Sequence, residues 1–126
     1  MEDYINISDI AGRVSEMSSG YAVQSWLRDY KTLEFLKLWE CKHNPDFDKA
    51  AYDELIERSK ESSITITPKL WIETTQAIGI RSTQGRYGGA FAHPAIACAF
   101  LMWLSPRYRL MMVETFLLTE EGGGIL

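Results

Sequence analysis

The four prolines constrain this chain more than any other feature, because each stands where a helix must start or stop. Thr67-Pro68 pairs a capping hydroxyl with a residue whose fixed φ suits the first helical position. Ser105-Pro106 repeats the arrangement, and His93-Pro94 opens a helix in the same way. Pro45 acts in the opposite sense: it cannot continue a helix, so the preceding one stops near "HNPD". The chain is thereby cut into helical blocks, with one glycine-rich interruption at residues 81–94, "RSTQGRYGGAFAHP".

The blocks read as follows. "YINISDIAGRV" predicts a short strand running into a helix, with Asn6 or Ser8 as cap, Asp9 in the first turn and Gly12 as an early stop. Residues 22–43 form the clearest amphipathic pattern, with Val23, Trp26, Leu27, Tyr30 and Leu33 at helical spacing. Phe35, Leu36 and Trp39 broaden that face. Residues 47–63 predict a charged helix, with Asp48, Asp53, Glu54, Glu57 and Glu61 on a solvated face. The helix opened by Pro68 ends at Gly79. "IRST" and "GAFAH" flank "QGRYG" as two short strands around a turn. The helix after Pro94 is apolar on nearly every side and reads as the central buried one, with Cys98 as a small buried hydrophobe. The last helix carries Leu110, Val113, Phe116 and Leu117 as one apolar stripe. The fold class is α+β and mostly helical, with a short N-terminal strand and one hairpin.

A length of 126 residues at 46% hydrophobic suits one domain with a single core. No apolar run approaches the roughly 18 residues of a membrane span. The N-terminus "MEDYINISD" is acidic and polar, unlike a secretory signal. Two cysteines, Cys41 and Cys98, fit a reduced, cytoplasmic setting rather than a disulfide framework. The net charge of −4 argues against a general polyanion binder, yet it is unevenly spread. From Thr74 to Val113 there is no carboxylate, while Arg81, Arg86, Arg107 and Arg109 are present. That asymmetry predicts a basic face on an acidic body.

The motifs of several chemistries are missing. A phosphate-cradling loop needs Lys and Ser/Thr after its last glycine, and Gly88-Gly89 is followed by Ala90-Phe91. Gly85, Gly88 and Gly89 do not match the dinucleotide fingerprint. Cys41, His43, His93 and Cys98 lack paired metal-ligand spacing. No G-x-S-x-G elbow accompanies His93, and the carboxylates of "DELIERSKE" stand at helical surface spacing. The expectation is therefore no catalytic residue, no metal and no cofactor. Binding remains. Arg81, Ser82, Thr83, Gln84, Arg86 and Tyr87 on one short hairpin suit a nucleic-acid backbone or groove. On residue types alone, an ordinary surface hairpin with glycines for its turn stays equally open.

Three blocks in order tip the balance. They are "YINISDIA", "SWLR" and "GGAFAHPAIACAFLMWLSPRYRLMMVETF". Together they resemble the KilA-N domain over roughly residues 3–118. The matching positions include Tyr4, Asn6 and Asp9; Trp26, Leu27 and Arg28; and Gly88, Gly89, His93, Pro94, Trp103, Ser105 and Pro106. Phe91 stands where the family often has Trp. The resemblance implies a non-enzymatic DNA-binding module of phage or prophage type. It also implies an APSES-like, winged-helix-like fold with residues 80–92 as the wing. On that template Arg81, Thr83, Gln84, Arg86 and Tyr87 contact DNA, with Arg28, Lys31 and Lys69 on the backbone. For Arg28, a salt bridge to Asp29 or Glu34 is the competing reading. The acidic balance supports a rival function: an interaction module that keeps the fold, has lost DNA affinity, and meets a protein through the acidic helix 47–61. The domain is expected over residues 1–119, with 120–126 as a glycine-rich tail or the start of a linker.

Overall fold

The computed structural model of the chain describes residues 3–85 and 88–119. The elements are β1 (Ile5–Asn6), α1 (Ile7–Val14), α2 (Ser19–Leu27), α3 (Tyr30–His43), α4 (Lys49–Glu61), α5 (Pro68–Thr75), β2 (Ile80–Thr83), β3 (Gly89–Ala92), α6 (Pro94–Leu104) and α7 (Pro106–Leu117). The class is α+β and mostly helical, as the sequence predicts. β1 joins the hairpin as an edge strand, giving an antiparallel sheet of order β1-β3-β2. Ile5 and Ile80 both pair with Ala92, and Asn6 and Arg81 both pair with Phe91.

Each of these helices starts on a side-chain cap that satisfies an otherwise orphaned backbone amide. Asn6, Ser18, Asp29, Asp48, Thr67, His93 and Ser105 serve in turn. Asp29 accounts for the largest departure from the sequence reading. The pattern over residues 22–43 predicts one helix, and the chain forms two. Asp29 leaves the helical region (φ −81°, ψ 119°), and its carboxylate accepts from Lys31 N at 2.9 Å. The break turns Tyr30 and Phe35 outward, while Val23, Trp26, Leu27, Leu33 and Leu36 are buried. Gly12 does not stop α1, which runs on to Val14. Nor does α5 reach Gly79: it ends at Gln76, which takes the left-handed conformation (φ 61°, ψ 31°).

The core is built from Trp26, Leu27, Leu33, Leu36, Ile80, Ile96 and Phe100, with Trp26 edge-on to Phe100 at 5.0 Å. α6 is less central than its composition predicts. Ile96, Ala97 and Phe100 are buried, Cys98 is half-buried and Trp103 is exposed. α7 departs further. Leu110, Val113, Phe116 and Leu117 share the predicted stripe yet are all exposed, and no residue of α7 is buried. No described helix is long and apolar enough to cross a membrane.

Phe47, Tyr52 and Trp71 form a ring triangle that pins α4 to α5. Burial pushes the Tyr52 phenol above its ordinary value near 10, and the nearby carboxylates of Glu34 and Asp53 push the same way. The folded state thus favours the neutral phenol. The associated stability is complete below pH 10 and is lost as pH rises through the folded value. Urea denaturation at rising alkaline pH should show this loss for the native chain and less of it for Tyr52→Phe.

The loop between α5 and β2 is held from α3. Glu40 is 1% exposed, and its carboxylate accepts three hydrogen bonds. Oε1 takes Asn44 Nδ2 at 2.8 Å and Ile78 N at 3.0 Å, and Oε2 takes Gly79 N at 2.7 Å. Asn44 Nδ2 also donates to Gln76 O at 2.9 Å. Glycine is required at position 79 by close approach: a Cβ there would lie 2.4 Å from Ile96 Cδ1 and 2.8 Å from Glu40 Oε2. Glu40→Gln sets an NH₂ group against a backbone or side-chain donor. It should cost roughly 2 kcal/mol, seen as a thermal midpoint several degrees lower by circular dichroism.

Candidate nucleic-acid interface

The Ile78–Gly79 segment carries the hairpin and is gripped from three directions. Glu40 takes its amides, the Tyr4 hydroxyl donates to Ile78 O at 2.6 Å, and His93 N donates to Gly79 O at 2.9 Å. β2 and β3 extend from this point. Gly85 turns the chain with φ 99°, a conformation open to glycine at no steric cost, and Gly88 N donates to Gly85 O at 3.0 Å. The Thr83 hydroxyl accepts from Gly89 N at 3.2 Å, so it braces the hairpin from within. Ser8 Oγ in α1 accepts from Ala90 N at 3.0 Å and ties β3 to the N-terminal helix.

β2 is buried only at its first residue. Ile80 and its partner Ala92 face the core. Arg81, Ser82, Thr83 and Gln84 are all exposed. Ser82 and Gln84 line a cleft of about 180 Å³ with Lys69, Ile72 and Glu73 of α5. Lys69 is thus brought to the hairpin from eleven residues upstream of Ile80. Arg81 pairs with Phe91 and lies with its guanidinium carbon 4.0 Å from the Tyr4 ring centroid. A stacked guanidinium keeps its in-plane N–H fork for a phosphate.

Arg28 and Lys31 stand elsewhere. Arg28 caps the end of α2 with its guanidinium 5.9 Å from the Tyr21 ring. Lys31 lines a pocket with Trp26, Phe35 and Trp103. Among the described residues Arg28 makes no ion pair with Asp29 or Glu34. Arg28 lines a cleft with Leu27, Tyr30 and Ser59, apart from the one that holds Lys31. The carboxylate-free stretch is also divided: Arg81 is on the hairpin, Arg107 and Arg109 on α7. Arg86 and Tyr87 lie outside the described residues, as does the tail from residue 120.

A row of rings beside the hairpin is absent from the sequence reading. Tyr4 meets His93 edge-on at 6.2 Å, His93 lies 4.9 Å from Trp39, and Trp39 lies 4.6 Å from His43. His93 is the helix cap expected of it, with Nδ1 accepting from Ala95 N at 3.1 Å. Its neighbours come from Tyr4, just before β1, and from α3, and no local pattern announces that meeting.

Fold and hairpin together define a small, mostly helical α+β domain with an anchored, polar hairpin. The KilA-N domain model matches residues 1–122, and the chain belongs to the KilA-N domain family. That family is in general a DNA-binding one. Neither a curated protein nor a solved structure gave a significant match.

The Tyr4 ring supports Arg81 and its hydroxyl holds the hairpin root. Tyr4→Phe keeps the first contact and loses the second, so it should cost about 1 kcal/mol in urea denaturation. Tyr4→Ala should cost more.

Proposed function

We propose that this chain is a non-enzymatic DNA-binding module of phage or prophage type, working in the cytoplasm of a host cell. The β2–β3 hairpin acts as the wing of a winged-helix-like domain. Arg81 and Lys69 meet phosphates on either side of it, and Gln84 reaches a base edge or the sugar-phosphate chain. Arg86 and Tyr87, which lie outside the described residues, extend the same contact in this reading. Thr83 serves chiefly inside the hairpin, through its bond to Gly89. Arg28 and Lys31 form a separate backbone contact. The observation that carries the reading is the exposed polar strand of β2, fixed at its root by Glu40 in a chain of a DNA-binding family. The acidic helix α4 is turned to solvent along Asp53, Glu54 and Glu57, and in this reading faces away from DNA.

Fluorescence anisotropy of a labelled duplex, titrated at low and moderate salt, tests the proposal. Affinity should fall steeply with salt, because each phosphate contact releases counterions. Arg81→Ala and Lys69→Ala should each weaken binding on every sequence and reduce the logarithmic salt slope by about 1. Glu73 shares the cleft with Lys69 and repels phosphate, so Glu73→Gln should tighten binding a few-fold at low salt. Unchanged binding in both Arg81→Ala and Lys69→Ala would refute the hairpin assignment. Arg28→Ala with Lys31→Ala tests the second contact separately.

A further inference from the structure

α7 is amphipathic on the wrong side. Tyr108 and Met112, one turn apart, are its half-buried residues, and its packing is chiefly against α6. Arg107, Leu110, Glu114, Leu117 and Leu118 recur at spacings of three and four residues on the other side. Leu110 is 60% exposed, Leu117 36% and Leu118 88%. An isolated helix of twelve residues is marginal in water, and its stability normally comes from burying an apolar face. α7 is that long and buries no side chain fully.

The stripe also carries a charge pattern. Arg107 and Glu114 are seven residues apart, about 10 Å along the axis, which is too far for them to pair within the helix. Among the described residues neither makes an ion pair. When two such helices are laid antiparallel about a two-fold axis between Leu110 and Met111, each Arg107 meets the Glu114 of the other copy. Leu110 then packs near its own symmetry mate. A parallel pair would set Arg107 against Arg107 and Glu114 against Glu114.

We infer that the exposed face of α7 is an isologous dimer interface, in which a second copy of this chain packs antiparallel with reciprocal Arg107–Glu114 pairs. An isologous contact needs a self-complementary patch, and this stripe is one in both apolarity and charge. The resulting dimer presents two hairpins related by a two-fold axis, a geometry suited to paired half-sites.

Sedimentation velocity of the full chain tests this without DNA, so its outcome is separate from that of the DNA-binding proposal. The native chain should sediment at twice its 14.4 kDa mass in the micromolar range. Glu114→Arg should raise the dissociation constant more than about tenfold, because both reciprocal pairs become repulsive. Arg107→Glu with Glu114→Arg should restore the dimer. Both positions are exposed, so the substitutions should leave the fold intact, which circular dichroism of each variant checks. A monomer at every concentration overturns the inference and leaves this face to a different protein. A dimer indifferent to Glu114→Arg overturns it equally, as does a failure of the double variant to recover.

Discussion

The Glu40 carboxylate, buried with backbone amides of Ile78 and Gly79 on its two oxygens, is the contact on which the rest of the architecture depends. A buried charge is tolerable only when its acceptor capacity is filled. Here two of the three donors come from the segment that must be positioned, and the third is Asn44. Three elements distant in sequence meet at this peptide: α3 through Glu40, the N-terminal segment through Tyr4, and the start of α6 through His93. Gly79 fits because a Cβ would strike Ile96, Glu40 and Trp39. The hairpin therefore leaves the body from a fixed root, and its exposed side chains inherit that direction.

From this root the functional logic runs outward. The inner face of β2 and β3 belongs to the core through Ile80, Ala90 and Ala92. Arg81, Ser82 and Thr83 of β2 are released to solvent, while Gly89 and Phe91 of β3 stay half-buried; Arg81 lies over the Tyr4 ring, and Ser82 adjoins Lys69 of α5. A chain with a net charge of −4 can address a polyanion only if its cations are local and its carboxylates are turned away. In the proposed reading Arg81 and Lys69 supply those local cations, and Glu73, in the cleft with Lys69, is the local exception.

Local signals in the sequence carried much of the fold. Prolines at positions 68, 94 and 106, each behind a capping side chain, mark helix starts that the structure reproduces. The hairpin follows from two short strands about a glycine turn. Signals that depend on competition or distance were not legible. Residues 22–43 have a continuous helical period, and only the ability of Asp29 to cap the following helix makes the chain break there. Gly79 reads as a helix terminator, yet its role is to admit Glu40, which lies 39 residues away. The apolar stripe of α7 was visible, but periodicity cannot say whether such a stripe meets the same chain or another. Of the expected site, Arg81 stands on β2 and Lys69 in the cleft beside it, whereas Arg28 and Lys31 line two other clefts. Helix position alone does not reveal which surface a cation shares.

The measurement closest to the central claim is a two-dimensional amide NMR spectrum of the labelled chain during titration with a short DNA duplex. The account predicts that the largest shifts fall on Arg81 to Gly89 and on Lys69, while the core amides of α3 and α6 stay in place. Undisturbed hairpin amides, with shifts gathered instead on α4 or α7, would contradict it.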